Sequence, residues 1–195
     1  MNKLAMCLMG ISAMALAGCS STPQNTVANY VLPTNITVQN SHEGASPNLP
    51  LLMIQPVILS PLLSGNGLVY QTGPTNIVQA QHHLWAESLG VQLTQQITQQ
   101  LRLKQRRYWS SDLASQLTMG KGSRLLVKFS QFNGSYTGNA ELRGEWVWLS
   151  SAGKVLSVHP FDYQIPLQKD GYPALVNALA QGVERLTTQI AANIG

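Results

Sequence analysis

The side chains in this 195-residue chain that could do chemistry fall into a few groups. His82 and His83 could ligate a metal. Adjacent residues on a helix point to different faces, and zinc wants three or four convergent ligands. His42 and His159 have no carboxylate or thiol at a telling spacing, so all four histidines are expected at solvent, with no metal site. There is no Gly-x-Ser-x-Gly elbow, and no catalytic residue is assigned. Arg102, Lys104, Arg106 and Arg107, followed by Tyr108 and Trp109, form the one dense basic cluster. It could contact anionic lipid headgroups or an acidic partner, with the aromatics at the interface. It could equally complement the macrodipole at a helix C-terminus. Trp146 and Trp148 are two residues apart, hence on one strand face, and are expected to be core.

Cys19 is the remaining candidate. Lys3 gives a positive start, Leu4 to Leu16 are largely apolar, and Ala15, Ala17 and Gly18 lead to the cysteine. These are the n-region, h-region and small-residue cleavage site of a secretory signal. The run is too short for a membrane span, which needs about twenty apolar residues. Leu16-Ala17-Gly18-Cys19 resembles the lipobox of bacterial lipoproteins. That resemblance implies a cleaved signal over residues 1–18 and a Cys19 acylated on sulfur and nitrogen. The covalent lipid is then the only membrane anchor expected, and no cofactor is.

Residues 19–29 are polar, contain Pro23 and show no apolar periodicity, so they read as a lipidated N-terminus and tether. About ten residues reach at most roughly 35 Å, which keeps the domain near its membrane. Ser20 follows the cysteine, with no aspartate there. By resemblance to lipoprotein sorting, this implies the outer membrane of a Gram-negative cell, with the domain facing the periplasm.

Loss of Lys3 lowers the formal charge from +4 to +3, too weak a balance to argue for nucleic acid. Cys7 leaves with the signal and Cys19 carries lipid, so the domain has no thiol for a disulfide or a thiolate metal site. Packing must stabilise it.

Residues 30–195 are expected to be one α+β domain, a mainly antiparallel sheet packed by two long amphipathic helices. Tyr30 starts a first strand, and the apolar run Leu49–Leu59 reads as a buried strand with a bulge or an edge at Pro56. Leu68–Gln71 and Asn76–Gln79 read as a hairpin around Thr72-Gly73-Pro74. A helix from about Gln81 to Lys104 places Trp85, Leu89, Leu93, Ile97 and Leu101 on one stripe and glutamines on the other face. Arg124–Phe132 and Ala140–Leu149 alternate as strands, followed by Lys154–Val158 and a separate Tyr163–Leu167. Tyr172–Ile194 is the last helix, with Leu175, Leu179, Val183, Leu186, Ile190 and Ile194 buried.

Ile54-Gln55-Pro56-Val57, Pro61-Leu62-Leu63, Ile77-Val78, Trp85-Ala86-Glu87-Ser88-Leu89 and Tyr172–Leu179 resemble the PqiC (YmbA-like) lipoproteins. The likeness covers most of residues 29–195. It departs at Ser64, Gly65, Asn66 and Gln71, where the family often has basic residues, and at Ser88, where proline is common. The resemblance implies a non-enzymatic outer-membrane lipoprotein of an ABC-type intermembrane lipid-transport system. Its implied partners are a periplasmic MCE-domain (PqiB-like) protein, that protein's inner-membrane partner, and outer-membrane lipid. A homo-oligomer matching a symmetric conduit is compatible with this role. Two other readings stay open: a structural or regulatory lipoprotein of another envelope machine, and a lipid-binding carrier.

Overall fold

The computed structural model describes residues 26–34, 49–113 and 122–194. Cys19 and His42 lie outside them. Among the described residues the fold is α+β, with nine strands in one mixed sheet and two long helices.

The strands are β1 (Ala28–Tyr30), β2 (Leu51–Ile54), β3 (Ile58–Leu59), β4 (Gly67–Gln71), β5 (Ile77–Trp85), β6 (Trp109–Ser111), β7 (Ser123–Ser135), β8 (Asn139–Leu149) and β9 (Val155–Pro166). The helices are α1 (Leu89–Lys104) and α2 (Tyr172–Ile194).

Strand β7 is the axis. One edge carries β8, antiparallel from Arg124 opposite Leu149 to Gly134 opposite Ala140. The other edge is covered in succession by three short parallel strands: β2 at Ser123–Leu125, β3 at Lys128–Phe129 and β4 at Gly134–Ser135. Alternation explains the choice of face, since Leu125, Val127 and Phe129 are buried while Lys128 and Ser130 are exposed. A bulge between Phe129 and Gln131 resets the register and brings Phe132 into the core.

Pro56 interrupts the apolar run, because it cannot donate to a ladder. The result is two strands, and β2 is not an edge: it pairs with β6 on one side and β7 on the other. Across the break, Gln55 N–H still donates to Leu125 O at 2.9 Å, and Val57 N–H turns to the Thr94 hydroxyl at 3.0 Å.

The expected helix start at Gln81 is corrected. β5 continues to Trp85 and α1 begins at Leu89. The backbone is claimed by the sheet: Trp85 N–H donates to Asn66 O, Ala86 N–H to Tyr30 O, and β1 adds in parallel along His83–Trp85. Trp85 is buried all the same, against Phe132. Lys154–Val158 and Tyr163–Leu167 are likewise one strand, not two. Pro160 is tolerated because β9 is an edge strand that, among the described residues, pairs only with β8.

Both helices lie on one face of the sheet. The stripes Leu89, Leu93, Ile97, Leu101 and Leu175, Leu179, Val183, Leu186, Ile190, Ile194 are buried as expected, and so is Trp146. Gly182 lets α2 approach β8 closely: a Cβ there would sit 2.4 Å from a methyl of buried Leu142. Gly182→Val should therefore overpack this contact and lower the unfolding free energy by about 1–3 kcal/mol. Urea denaturation followed by tryptophan fluorescence measures it.

Candidate partner-contact site

The basic cluster lies where α1 ends and the chain turns into β6. Its members do different jobs. The Lys104 ammonium reaches across to α2, donating to Glu184 O at 2.7 Å, Thr188 Oγ1 at 2.8 Å, Thr187 Oγ1 at 2.9 Å and Gln100 Oε1 at 3.3 Å. Burial pushes its pKa below the ordinary lysine value, and the charge of Glu184 opposes that shift. Lys104 is a helix-to-helix tie and not a free contact. Arg102 Nε donates to Ser110 O at 2.7 Å, and its guanidinium lies 4.8 Å from the centre of the Trp109 ring. That cation–π contact joins the helix end to β6.

Arg106 and Arg107 are exposed, on a loop organised by Gln105, a residue that no motif or periodicity singles out. Gln105 is buried: its carbonyl oxygen accepts the Arg107 and Tyr108 N–H groups at 2.9 Å each, and its amide donates to Tyr108 O at 2.8 Å. This closes a tight turn that carries both exposed arginines. Tyr108 packs edge-on against Trp148, ring centres 6.0 Å apart. Of the six residues in the cluster, Arg102, Lys104, Tyr108 and Trp109 build the platform, and Arg106 and Arg107 are exposed on the turn beside it.

The glutamine face of α1 is largely interior. Gln92 accepts Leu32 N–H at 2.8 Å and donates to Glu87 O at 3.0 Å, while Gln96 donates to Pro33 O at 3.1 Å. Gln100 accepts the Thr187 hydroxyl of α2. Residues Gln92, Gln96 and Gln100 recur every four positions beside the apolar stripe, the signal that could have marked them.

The expectation of solvent-exposed histidines fails: His82 is half-buried, and so is His83. His83 sits on β5, stacked on Tyr172 at 3.9 Å between ring centres, and its Nδ1 is hydrogen-bonded with the Tyr30 hydroxyl at 2.9 Å. His159 is half-buried and stacks on Trp146. Among the described residues, no three His, Cys, Asp or Glu side chains converge as a metal site.

The described surface includes two pockets. One of about 510 Å³ lies on the sheet face away from the helices, rimmed by Lys128, Arg143, Glu145 and Asp162. Its charges are already matched, Arg143 to Asp162 at 2.8 Å and Lys128 to Glu145 at 3.9 Å. The other, about 420 Å³, is lined by Tyr70, Leu167, Asp170, Tyr172 and Leu175 at the start of α2. Among the described residues, no helix is long and apolar enough to cross a membrane.

Residues 30–191 match a family described as the ABC-type transport auxiliary lipoprotein component. The chain belongs to that family. It is 35% identical over 173 residues to the intermembrane transport lipoprotein PqiC of Escherichia coli (strain K12), covering 89% of this chain and 88% of that protein. The Shigella flexneri PqiC matches equally. A crystal structure of an uncharacterized protein shares the fold with a TM-score of 0.73 and 30% identity, over 87% of this chain and 99% of that one. Protein XCC0632 of Xanthomonas campestris, at 12% identity, shares the fold with a TM-score of 0.65 over 87% of this chain and 89% of that one. The family is one of transport auxiliary lipoproteins and not of enzymes.

The division of the basic cluster has a direct test. Lys104→Met should lower stability by about 1–2 kcal/mol, because it removes charge-assisted bonds between the helices. Arg106→Ala should leave it within about 0.5 kcal/mol of the parent. Thermal melts of the two variants followed by circular dichroism decide.

Proposed function

We propose that this protein is a non-enzymatic, outer-membrane-anchored subunit of an intermembrane lipid-transport system, docking a periplasmic MCE-protein conduit at that membrane and so supporting envelope integrity. The carrying observation is the match along nearly the whole chain to PqiC, an intermembrane transport lipoprotein. Lipid on Cys19 confines the domain to one membrane and raises its effective concentration for the conduit. Three acyl chains on one residue make that attachment effectively permanent, since two membrane signals already suffice for stable anchoring. Copies arranged around a symmetric conduit fit the same role.

The packing favours contact over carriage of lipid inside the domain. Phe129, Phe132, Leu93, Ile97 and Trp146 fill the space between helices and sheet, each no more than 2% exposed. Both described pockets open at the surface. Arg106 and Arg107 supply an exposed cationic contact for an acidic patch on the partner.

A photocrosslinking residue at Arg106, with Cys19 intact, should recover an MCE-domain protein from outer-membrane fractions. Recovery of a cell-wall synthase or a secretion component instead would overturn the transport reading. Cys19→Ala should abolish incorporation of radiolabelled palmitate, measured by autoradiography of the immunoprecipitated protein.

A further inference from the structure

The fold sets which end of the domain meets the anchoring membrane. The chain enters through β1, with Ala28 beside His83, and β1 runs parallel to β5. β5 is antiparallel to β4, and β4 is parallel to β7. Strand β1 therefore runs against β7, so that its first residue, Ala28, is the one nearer the Ser135 end of the sheet. Gly67, opposite Leu84, marks the level of entry, and Gln71 beside Ser135 marks the sheet end four residues further on.

Arg106 and Arg107 lie at the other end. Their neighbour Tyr108 packs on Trp148, which is paired with Leu125. Leu125 and Gly134 stand nine residues apart on β7, about 30 Å at roughly 3.3 Å per residue. From Cys19 to Thr26 is seven residues, at most about 25 Å of reach even when extended. The entry is level with Gln131, about 13 Å from Ser135 and about 20 Å from Leu125. Seven residues of random coil span roughly 15 Å on average, so a lipid on Cys19 favours the nearer Ser135 end at the bilayer.

The surface at that end suits the position. It consists of the turns 72–76 and 136–138 and the approach 167–171 to α2, and it exposes Ile77 (41%), Val78 (45%) and Tyr136 (50%). Its charges are Lys169 and Asp170, which cancel. Few charges need desolvation there, and tyrosine favours a membrane interface. By contrast, laying the molecule on its open sheet face would press Lys128, Glu145, Arg143 and Asp162 against lipid. Basic residues gain about 1 kcal/mol each near an anionic surface. That attraction fades over a Debye length of about 8–10 Å, which leaves Arg106 and Arg107 out of range.

We infer that the domain stands on the bilayer on its β4–β5 and β7–β8 turns, with Ile77, Val78 and Tyr136 at the lipid surface and Arg106 and Arg107 directed away from it. The inference rests on the lipidated Cys19 of the proposed function, not on the identity of the transport partner.

Beyond Cys19 the chain has no cysteine, so single reporters are site-specific. Lipidated protein carrying Thr137→Cys or Arg106→Cys, labelled with a fluorophore, is reconstituted into phosphatidylethanolamine–phosphatidylglycerol vesicles containing a headgroup nitroxide lipid. Thr137→Cys should lose fluorescence at least twofold and Arg106→Cys should be unchanged. Thr75→Cys, in the neighbouring turn, gives the same reading should the first variant fail to fold. Equal quenching at both ends, quenching at Arg106 alone, or quenching at neither in protein that floats with the vesicles would overturn the orientation. Failure to float would overturn the anchor itself, and the orientation with it.

Discussion

Pairing along both edges of β7 is the constraint on which the rest of the structure depends. Thirteen residues of one strand carry β8 on one side and β2, β3 and β4 end to end on the other. Short strands of two to five residues have little stability of their own. Here they are ordered by a long template already stiffened by its antiparallel partner. The parallel pairs follow from that arrangement, since the chain from Leu51 to Gln71 runs alongside β7 in one direction. The mixed sheet is thus two systems sharing one strand: a long antiparallel meander, β7–β9, and a set of short segments laid beside it.

Short segments leave gaps in the hydrogen bonding, and α1 fills them. Gln92, Thr94 and Gln96 satisfy backbone groups of Leu32, Val57 and Pro33, where the chain is between strands. Gln100 and Lys104 then tie α1 to α2 through Thr187, Thr188 and the Glu184 carbonyl. Unmade hydrogen bonds at buried backbone groups are expensive. A helix with one apolar stripe and an adjacent amide stripe can bury more of its circumference than a purely amphipathic one. The same logic divides the basic cluster, because Lys104 and Arg102 are consumed by the scaffold and the Gln105 turn presents Arg106 and Arg107.

This division bears on how a membrane-tethered docking part could work. On the proposed reading a lipid on Cys19 defines one boundary of the molecule, and the exposed Arg106 and Arg107 lie on a loop held by Gln105, Tyr108 and Trp109. A rigidly presented charge loses little entropy on contact with a partner. In a domain that is poor in charge overall, two exposed cations on a fixed loop stand out electrostatically.

Local pattern determined a good deal of this fold. The hairpin β4–β5, strands β7 and β8, and the whole of α2 with its six-residue stripe were legible, because their burial follows one period along one segment. The resemblance carried by Trp85–Leu89 and Tyr172–Leu179 led to the correct family. Tertiary pairing decided the remainder. Trp85 fits a helical stripe equally well, yet Asn66 and Tyr30, distant in sequence, claimed the backbone around it for the sheet. His83 gained a stacked partner from a helix nearly ninety residues away. Gln92, Gln96 and Gln100 look like a solvated face until neighbouring segments arrive with unsatisfied groups. Periodicity reports which side of an element is apolar; only the assembled neighbours determine where the polar sides go, because their partners are set by long-range packing.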